Sequence, residues 1–260
     1  MNNLLEVKNI SVSFDGFKAV NNLSFRIGYN EIKAVIGPNG AGKTTFMDII
    51  TGQTKPDNGD VLWTDKQYSL LLLKESEIAQ LGVGRKFQKP TIFENKTVLQ
   101  NLIISQKKIR NPFNVIFQSF DSLDEEKINK ILKEINLFEI KSKISGELSH
   151  GQKQWLEIGM LLTQEPKLLL VDEPAAGMTT DERQQTVKIL KKLSLKKSII
   201  VVEHDMEFIK DLECNVTVLH DGSILSEGTI NEVSNDENVI AVSYTHLRAH
   251  ETVLDLVCRL

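Results

Sequence analysis

Gly37-Pro-Asn-Gly-Ala-Gly-Lys43-Thr44 satisfies the phosphate-loop pattern G-x-x-x-x-G-K-[ST] at every fixed position. An apolar stretch, Ile32 to Ile36, leads into it, and a helical pattern, Thr45 to Thr51, leads out. That is the strand–loop–helix setting the motif needs. Glycine carries no Cβ, so the backbone can wrap closely around phosphate oxygens. Successive N–H groups and the start of the helix then aim partial positive charge at the anion. Lys43 adds a full charge at the β- and γ-phosphates, and the Thr44 hydroxyl is placed to ligate Mg2+. Gly37, Pro38, Asn39, Gly40, Ala41, Gly42, Lys43, Thr44 and Thr45 are accordingly expected to hold a nucleoside triphosphate.

Outward from this loop, Leu4 to Phe14 and Leu23 to Ile27 alternate like strands. Val61 to Trp63 adds a short apolar piece after a Pro56-Asp-Asn-Gly59 turn signal. Together they predict a small antiparallel sheet beside the phosphate-loop strand. From about Thr97 to Ser145 the pattern turns helical. Asp121 to Ile135 in particular places acidic residues early and apolar residues at helical spacing. This predicts a helical subdomain, residues 90–150 or so, inserted in the core of a domain spanning 1–240. Strand and helix then alternate: Leu168 to Val171, Thr180 to Leu193, Ser198 to Val202. That rhythm predicts an α/β fold built on a parallel sheet. Val216 to Leu225 reads as a hairpin with an Asp221-Gly222 turn.

The strand from Leu168 ends in Asp172-Glu173, and two carboxylates at the end of a buried strand need a cation or a hydrogen-bond partner. Asp172 is expected to hold Mg2+ and Glu173 to act on the attacking water. Composition narrows the setting. The chain has 260 residues, 41% hydrophobic and 25% charged, with a formal net charge of −4. That charge argues against a nucleic-acid binder. No apolar run approaches the roughly 20 residues that span a bilayer, and the N-terminus lacks a signal-peptide layout. Cys214 and Cys258 form no metal-spaced pair. The expectation is a reducing, cytoplasmic compartment, with any membrane role reached through a partner.

Leu148-Ser149-His150-Gly151-Gln152 resembles the Leu-Ser-Gly-Gly-Gln signature of ABC transporter ATP-binding subunits, and Lys153 to Leu162 continues it at helical spacing. Other family motifs follow in order. Gln88 matches the Q-loop glutamine, His204 the switch histidine, and Phe14, with Val20 beneath it, the position that stacks on adenine; Phe17 is the fallback. The resemblance covers residues 3 to 240 or so. It implies a P-loop NTPase fold with a RecA-like parallel core, and it implies ATP and Mg2+ as cofactors. Thr44, Gln88 and Asp172 would be the metal contacts, and Glu173, His204 and Gln88 the catalytic group. It further implies a head-to-tail dimer with a second ABC ATPase subunit, identical or not. There Ser149, Gly151 and Gln152 meet the γ-phosphate held by the partner. His150 replaces a glycine, and its backbone angle is expected to suit histidine less well. Thr179 stands where many relatives carry Asp.

Gly82 to Glu94 and Val171 to Met178 resemble the importer branch that serves branched-chain amino acids and urea. Leu148 to Met160 and Val202 to Phe208 resemble the urea-importer subunit in particular. This implies transmembrane permease subunits, an extracellular substrate-binding protein, and a peripheral place on the cytoplasmic face of the inner (plasma) membrane. Phe87, Pro90, Ile92 and Phe93 either line a permease groove or sit in the core. Arg85, Lys86 and Lys89 form a solvated face or meet acidic permease residues. Lys191 to Lys197 is expected to be a solvated helix end. The run from Ser243 to Thr252 resembles none of the family's endings, so 241–260 is read either as a genuine C-terminal helix or as a non-native tail, and no function is assigned to His246, His250 or Cys258. Two other readings stay open, a soluble ABC ATPase outside transport and a small-molecule P-loop kinase; the latter class lacks counterparts of Ser149-His-Gly-Gln and His204.

Overall fold

A computed structural model describes residues 3–63, 68–86, 91–106 and 122–246. The phosphate-loop strand, β3 (Ile32–Ile36), lies inside a six-stranded sheet. Its companions are β6 (Val83–Lys86), β7 (Leu168–Asp172), β8 (Ser198–Val202), β9 (Asn215–His220) and β10 (Ser223–Thr229), in the order β10-β9-β3-β8-β7-β6. All neighbours are parallel except β10, which pairs antiparallel with β9 through the expected Asp221-Gly222 turn. The second sheet is antiparallel, in the order β2-β1-β4-β5. It comprises β1 (Asn3–Phe14), β2 (Phe17–Gly28), β4 (Asn58–Trp63) and β5 (Tyr68–Ser69).

Two details differ from the sequence expectation. β2 starts at Phe17, because Asp15 and Gly16 form a tight reversal with φ of 47° and 85°. An Asp-Gly pair with both residues left-handed is the two-residue hairpin turn that matches strand twist. Asn58 and Gly59 belong to β4 rather than to a turn. The pairing of β1 with β4 shifts between Lys8 and Ser11, and a Cβ at Gly59 would collide with the Lys8 carbonyl and the Asn9 backbone.

The central parallel strands are mostly apolar because both faces are covered. Ala34 and Ile36, Leu169 and Val171, Ile199 and Val201 point into one core. Val35, Leu168 and Leu170, Ile200 and Val202 point into the other. The second core is closed by the antiparallel sheet and by α1 (Lys43–Thr51), whose Phe46 meets Phe25 edge-on at 5.0 Å. The first core is closed by α3 (Val98–Ile104), α4 (Ser122–Glu134), α5 (His150–Leu162) and α6 (Thr180–Ser194). At Gly159 a Cβ would meet Ile135 at 2.5 Å and Leu102 at 3.1 Å, so the glycine is what lets α3 and α4 close on α5. The stretch between α4 and α5 holds two short 3-10 turns, where the sequence reading had expected helix.

The remaining helices are α2 (Glu75–Leu81), α7 (Met206–Leu212), α8 (Ile230–Ser234) and α9 (Glu237–His246). Among the described residues no helix is long and apolar enough to cross a membrane.

Phe46 is fully buried against Phe25 and the α1 face. Phe46→Ala should therefore cost about 3–5 kcal/mol. Urea unfolding should show a lower midpoint with an unchanged slope, and an unchanged midpoint would mean this core is not as closed as described.

Candidate functional site

The register of the parallel strands assembles the site. Val35 on β3 pairs with Val202 on β8, and Val202 pairs with Asp172 on β7. Three adjacent strands thus end on one line, and each releases a functional loop there. Ligands in open parallel sheets bind outside these carboxyl ends.

β3 releases the phosphate loop. Gly37 has φ of 152°, and a Cβ there would collide with the Leu219 carbonyl oxygen. Gly42, the N-cap of α1, has φ of 97°, and a Cβ there would strike the Ala19 carbonyl oxygen. The Gly222 amide donates to Ala41 O at 3.2 Å, which ties the loop to the β9–β10 turn. Asn39, Gly40 and Thr44 are exposed; Ala41 is buried; Gly37, Pro38, Gly42, Lys43 and Thr45 lie between these extremes. Lys43 Nζ donates to Gly37 O at 2.5 Å and Pro38 O at 2.9 Å. Burial lowers its pKa, while Glu173 and Asp172 oppose the shift. The two carboxylates therefore lie close enough to act on the lysine.

β7 releases the carboxylate pair. Asp172 is buried, and burial raises its pKa against the nearby Arg85, Lys86 and Lys43, with Glu173 adding to the rise. Glu173 takes a left-handed φ of 45°, and its amide donates to Val202 O at 2.9 Å. A non-glycine residue in that region is uncommon and clusters at functional turns. The turn brings Glu173 Oε1 to 3.7 Å from His204 Nδ1, at the end of β8. Sequence reasoning missed the residue that holds this pair together. Glu203 is buried, and its carboxylate accepts from the amides of Ala175 and His204 at 2.8 Å and of Asp205 at 3.3 Å. Burial raises its pKa and the three amides oppose the rise. One carboxylate thereby fixes the loop after Glu173 and the loop carrying His204.

Arg85 and Lys86 are neither a solvated face nor a permease contact. Arg85 is nearly buried and paired with Asp48 of α1. Lys86 is fully buried; its Nζ lies 3.9 Å from Glu157 Oε2 on α5 and donates to Asp172 O at 3.3 Å. Burial pushes the Lys86 ammonium down and the Glu157 carboxyl up, each opposed by the other. Glu157 also accepts from the Thr91 amide and hydroxyl at 3.3 and 3.1 Å. Gln88, Phe87, Lys89 and Pro90 lie outside the described residues. Ile92 packs on the first core, and Phe93 is exposed.

The signature loop lies on α5. Ser149 is its N-cap, accepting from the Gln152 amide at 3.2 Å, and Gln152 Oε1 accepts from the Ser149 amide at 3.1 Å. His150 is the first helical residue and is absent from the positive-φ positions, so the expected backbone misfit does not arise. Its ring rests 3.5 Å from where a Cβ on Gly177 would lie. Thr179, in the place of an acidic residue, is the N-cap of α6 and accepts from the Glu182 amide at 3.3 Å. Phe14 and Phe17 are exposed at the tip of the β1–β2 hairpin, whereas Val20 is fully buried and offers a base no surface. At the α6 end, Lys191 pairs with the exposed Glu213, but Lys197 is half-buried and donates to Pro166 O at 2.9 Å.

Mg2+ chemistry fits the oxygens gathered here. Thr44 offers an exposed hydroxyl and Asp172 a buried carboxylate, the small all-oxygen set that Mg2+ takes when substrate phosphates and water complete its shell. Among the described residues no group of three His, Cys, Asp or Glu side chains forms a protein cage for a metal.

Comparison with known proteins fits this geometry. The family model described as ABC transporter matches residues 20–176. The high-affinity branched-chain amino acid transport ATP-binding protein LivG of Escherichia coli is 32% identical, covering 91% of this chain and 96% of its own. BraF of Pseudomonas aeruginosa, with the same description, is 30% identical at the same coverage. An ATP-binding cassette of an ABC transporter, solved in its ADP conformation, superposes with a TM-score of 0.81 at 29% identity, covering 94% of this chain and 99% of its own.

Removing Glu157 takes from the buried Lys86 one of the carboxylates that answer it, Asp172 remaining. Glu157→Leu should cost about 3–5 kcal/mol, and adding Lys86→Met should recover only part of it, because Lys86 also answers Asp172. Guanidinium unfolding of the two singles and the double completes the cycle. Additive losses would show that the pair is not coupled.

Proposed function

This chain belongs to the ABC transporter family, as an ATP-hydrolysing cassette, and we propose that it is the ATPase subunit of an importer for branched-chain amino acids. The observation that carries the ATPase reading is the single edge where the phosphate loop, Asp172-Glu173 and His204 meet. The cargo follows the relatives LivG and BraF. The stretches Leu148 to Met160 and Val202 to Phe208 favour urea as the second reading. Cargo would be read by permease and substrate-binding subunits, not by any residue of this chain.

The loop amides and Lys43 hold the triphosphate, and Lys43 turns from the Gly37 and Pro38 carbonyls to the phosphate oxygens. Thr44 and Asp172, with Gln88, would hold Mg2+, which would neutralise phosphate charge. Glu173 orients the attacking water and takes its proton as the water oxygen bonds to the γ-phosphorus and the bond to ADP breaks. His204, 3.7 Å from Glu173, would face the same phosphate. Phe14, with Phe17 beside it, offers a face for adenine to stack on. Phosphoryl transfer needs chiefly positioning and charge, and Glu203 supplies the positioning here. In the assembled transporter a second cassette completes each site. The α5 N-terminus, with Ser149 and Gly151, meets the γ-phosphate on the partner's loop. Phe93, exposed, would face the permease on the cytoplasmic side of the membrane.

Glu173→Gln should bind ATP within about twofold of the parent and lose on the order of 100-fold or more in turnover. Cells expressing this chain with its genomic neighbours should take up labelled leucine, and the Glu173→Gln strain should not. Uptake of urea instead would move the cargo to the second reading. Undiminished turnover in Glu173→Gln would remove Glu173 from the chemistry.

A further inference from the structure

The donors at the start of α5 are already engaged by a carboxylate of this chain. Glu182, in the first turn of α6, extends Oε1 to the Ser149 hydroxyl, which donates at 2.5 Å. Gly151 packs directly against the same carboxylate. The fit is close: a Cβ on Gly151 would lie 2.7 Å from Glu182 Cδ and 2.9 Å from Oε1. Glu182 Oε2 faces the other way and accepts from the Thr179 amide and hydroxyl at 3.1 and 3.2 Å. One carboxylate thus serves two helix N-termini, the signature helix and its own. The environment suits an anion: two partly positive helix ends, two hydroxyls and the Thr179 amide converge on it. The Ser149 hydrogen bond leads the effects that hold Glu182 below the usual carboxylate range.

We propose that Glu182 is a built-in stand-in for phosphate, occupying the Ser149–Gly151 anion site and leaving it when the partner's nucleotide arrives. This rests on the reading of α5 as the site that meets the partner's γ-phosphate. A triphosphate and a carboxylate cannot share the Ser149 hydroxyl and the space over Gly151, because both are anions and Glu182 already fills that space. Glu182 must therefore rotate toward solvent, and its Oε2 is tied to the Thr179 cap through the same carboxyl group. Cassette closure in this chain then competes with an internal ligand. Glu182 sets the nucleotide concentration at which closure occurs without itself touching the hydrolysed bond. It also gives Thr179 a part in that threshold, since the capping box stores the second half of the carboxylate's contacts.

Glutamine at this position keeps the capping-box chemistry but removes the charge. The measurement is sedimentation of the Glu173→Gln cassette pair across ATP concentrations, with and without Glu182→Gln. The concentration for half-association should fall about threefold to tenfold, the effect of one charge at a helix N-terminus, while the thermal midpoint of the unassociated chain falls only slightly. Glu182→Ala loses the cap as well, so its thermal midpoint should fall while association still occurs at lower ATP. Those opposite movements separate a stand-in ligand from a residue that only supports the fold. An association midpoint that stays put or rises in Glu182→Gln would overturn the proposal. If the Glu173→Gln parent itself binds ATP but never associates, the reading of α5 falls, and the proposal with it.

Discussion

Parallel register is the constraint on which the rest of this molecule depends. β3, β8 and β7 end on a common line because Val35, Val202 and Asp172 are in register. Side chains alternate between two cores along each strand. A slip of one residue in β7 would exchange those faces. It would carry Asp172 into a core and Glu173 away from His204. The two apolar cores therefore do more than stabilise the sheet: they set the relative position of three loops that share no sequence neighbourhood.

Charge is placed at this edge with the same economy. Asp172, Glu157 and Glu203 are all buried, a costly arrangement unless each is answered. Arg85, Lys86 and Lys43 answer Asp172; Lys86 and Thr91 answer Glu157; three amides answer Glu203. Lys86 is the shared member. It touches the last residue of β7 and the interior of α5, so the sheet edge and the helix that begins at Ser149 are joined by one ammonium group. Trp155 adds a second tie from α5, donating to Thr186 of α6 at 2.8 Å.

Much of this was legible in the sequence. The phosphate loop, the Asp172-Glu173 strand end and the Asp221-Gly222 hairpin each announce themselves by local chemistry, and each stands where expected. The start of β2 was missed although Asp15-Gly16 carries the same turn signal, because the pairing of β1 and β2 shifts register at several points and blurs the alternation. Arg85 and Lys86 looked solvent-facing because charge normally is; only the approach of Asp48 and Glu157, distant in sequence, makes their burial tolerable. Glu203 and Glu182 were passed over because each has a decisive partner far off in sequence, Ala175 for Glu203 and Ser149 for Glu182. His150 was misjudged on the family's glycine, but a first helical position asks nothing unusual of a histidine backbone. No pattern in the chain separates Val20, a core residue, from the exposed phenylalanines beside it.

The close contacts around the phosphate loop have a bearing on how the chain is made. Gly37 abuts Leu219, and Ala41 is bonded by Gly222, so the loop's backing comes from strands near the far end of the sequence. At about 5–20 residues per second of synthesis, those strands emerge on the order of ten seconds or more after the loop itself. During that interval the nascent chain has the glycines and the lysine but nothing to brace them. Nucleotide cannot then act as an early folding template. The braced form of the loop is therefore complete only once β9 and β10 have left the ribosome.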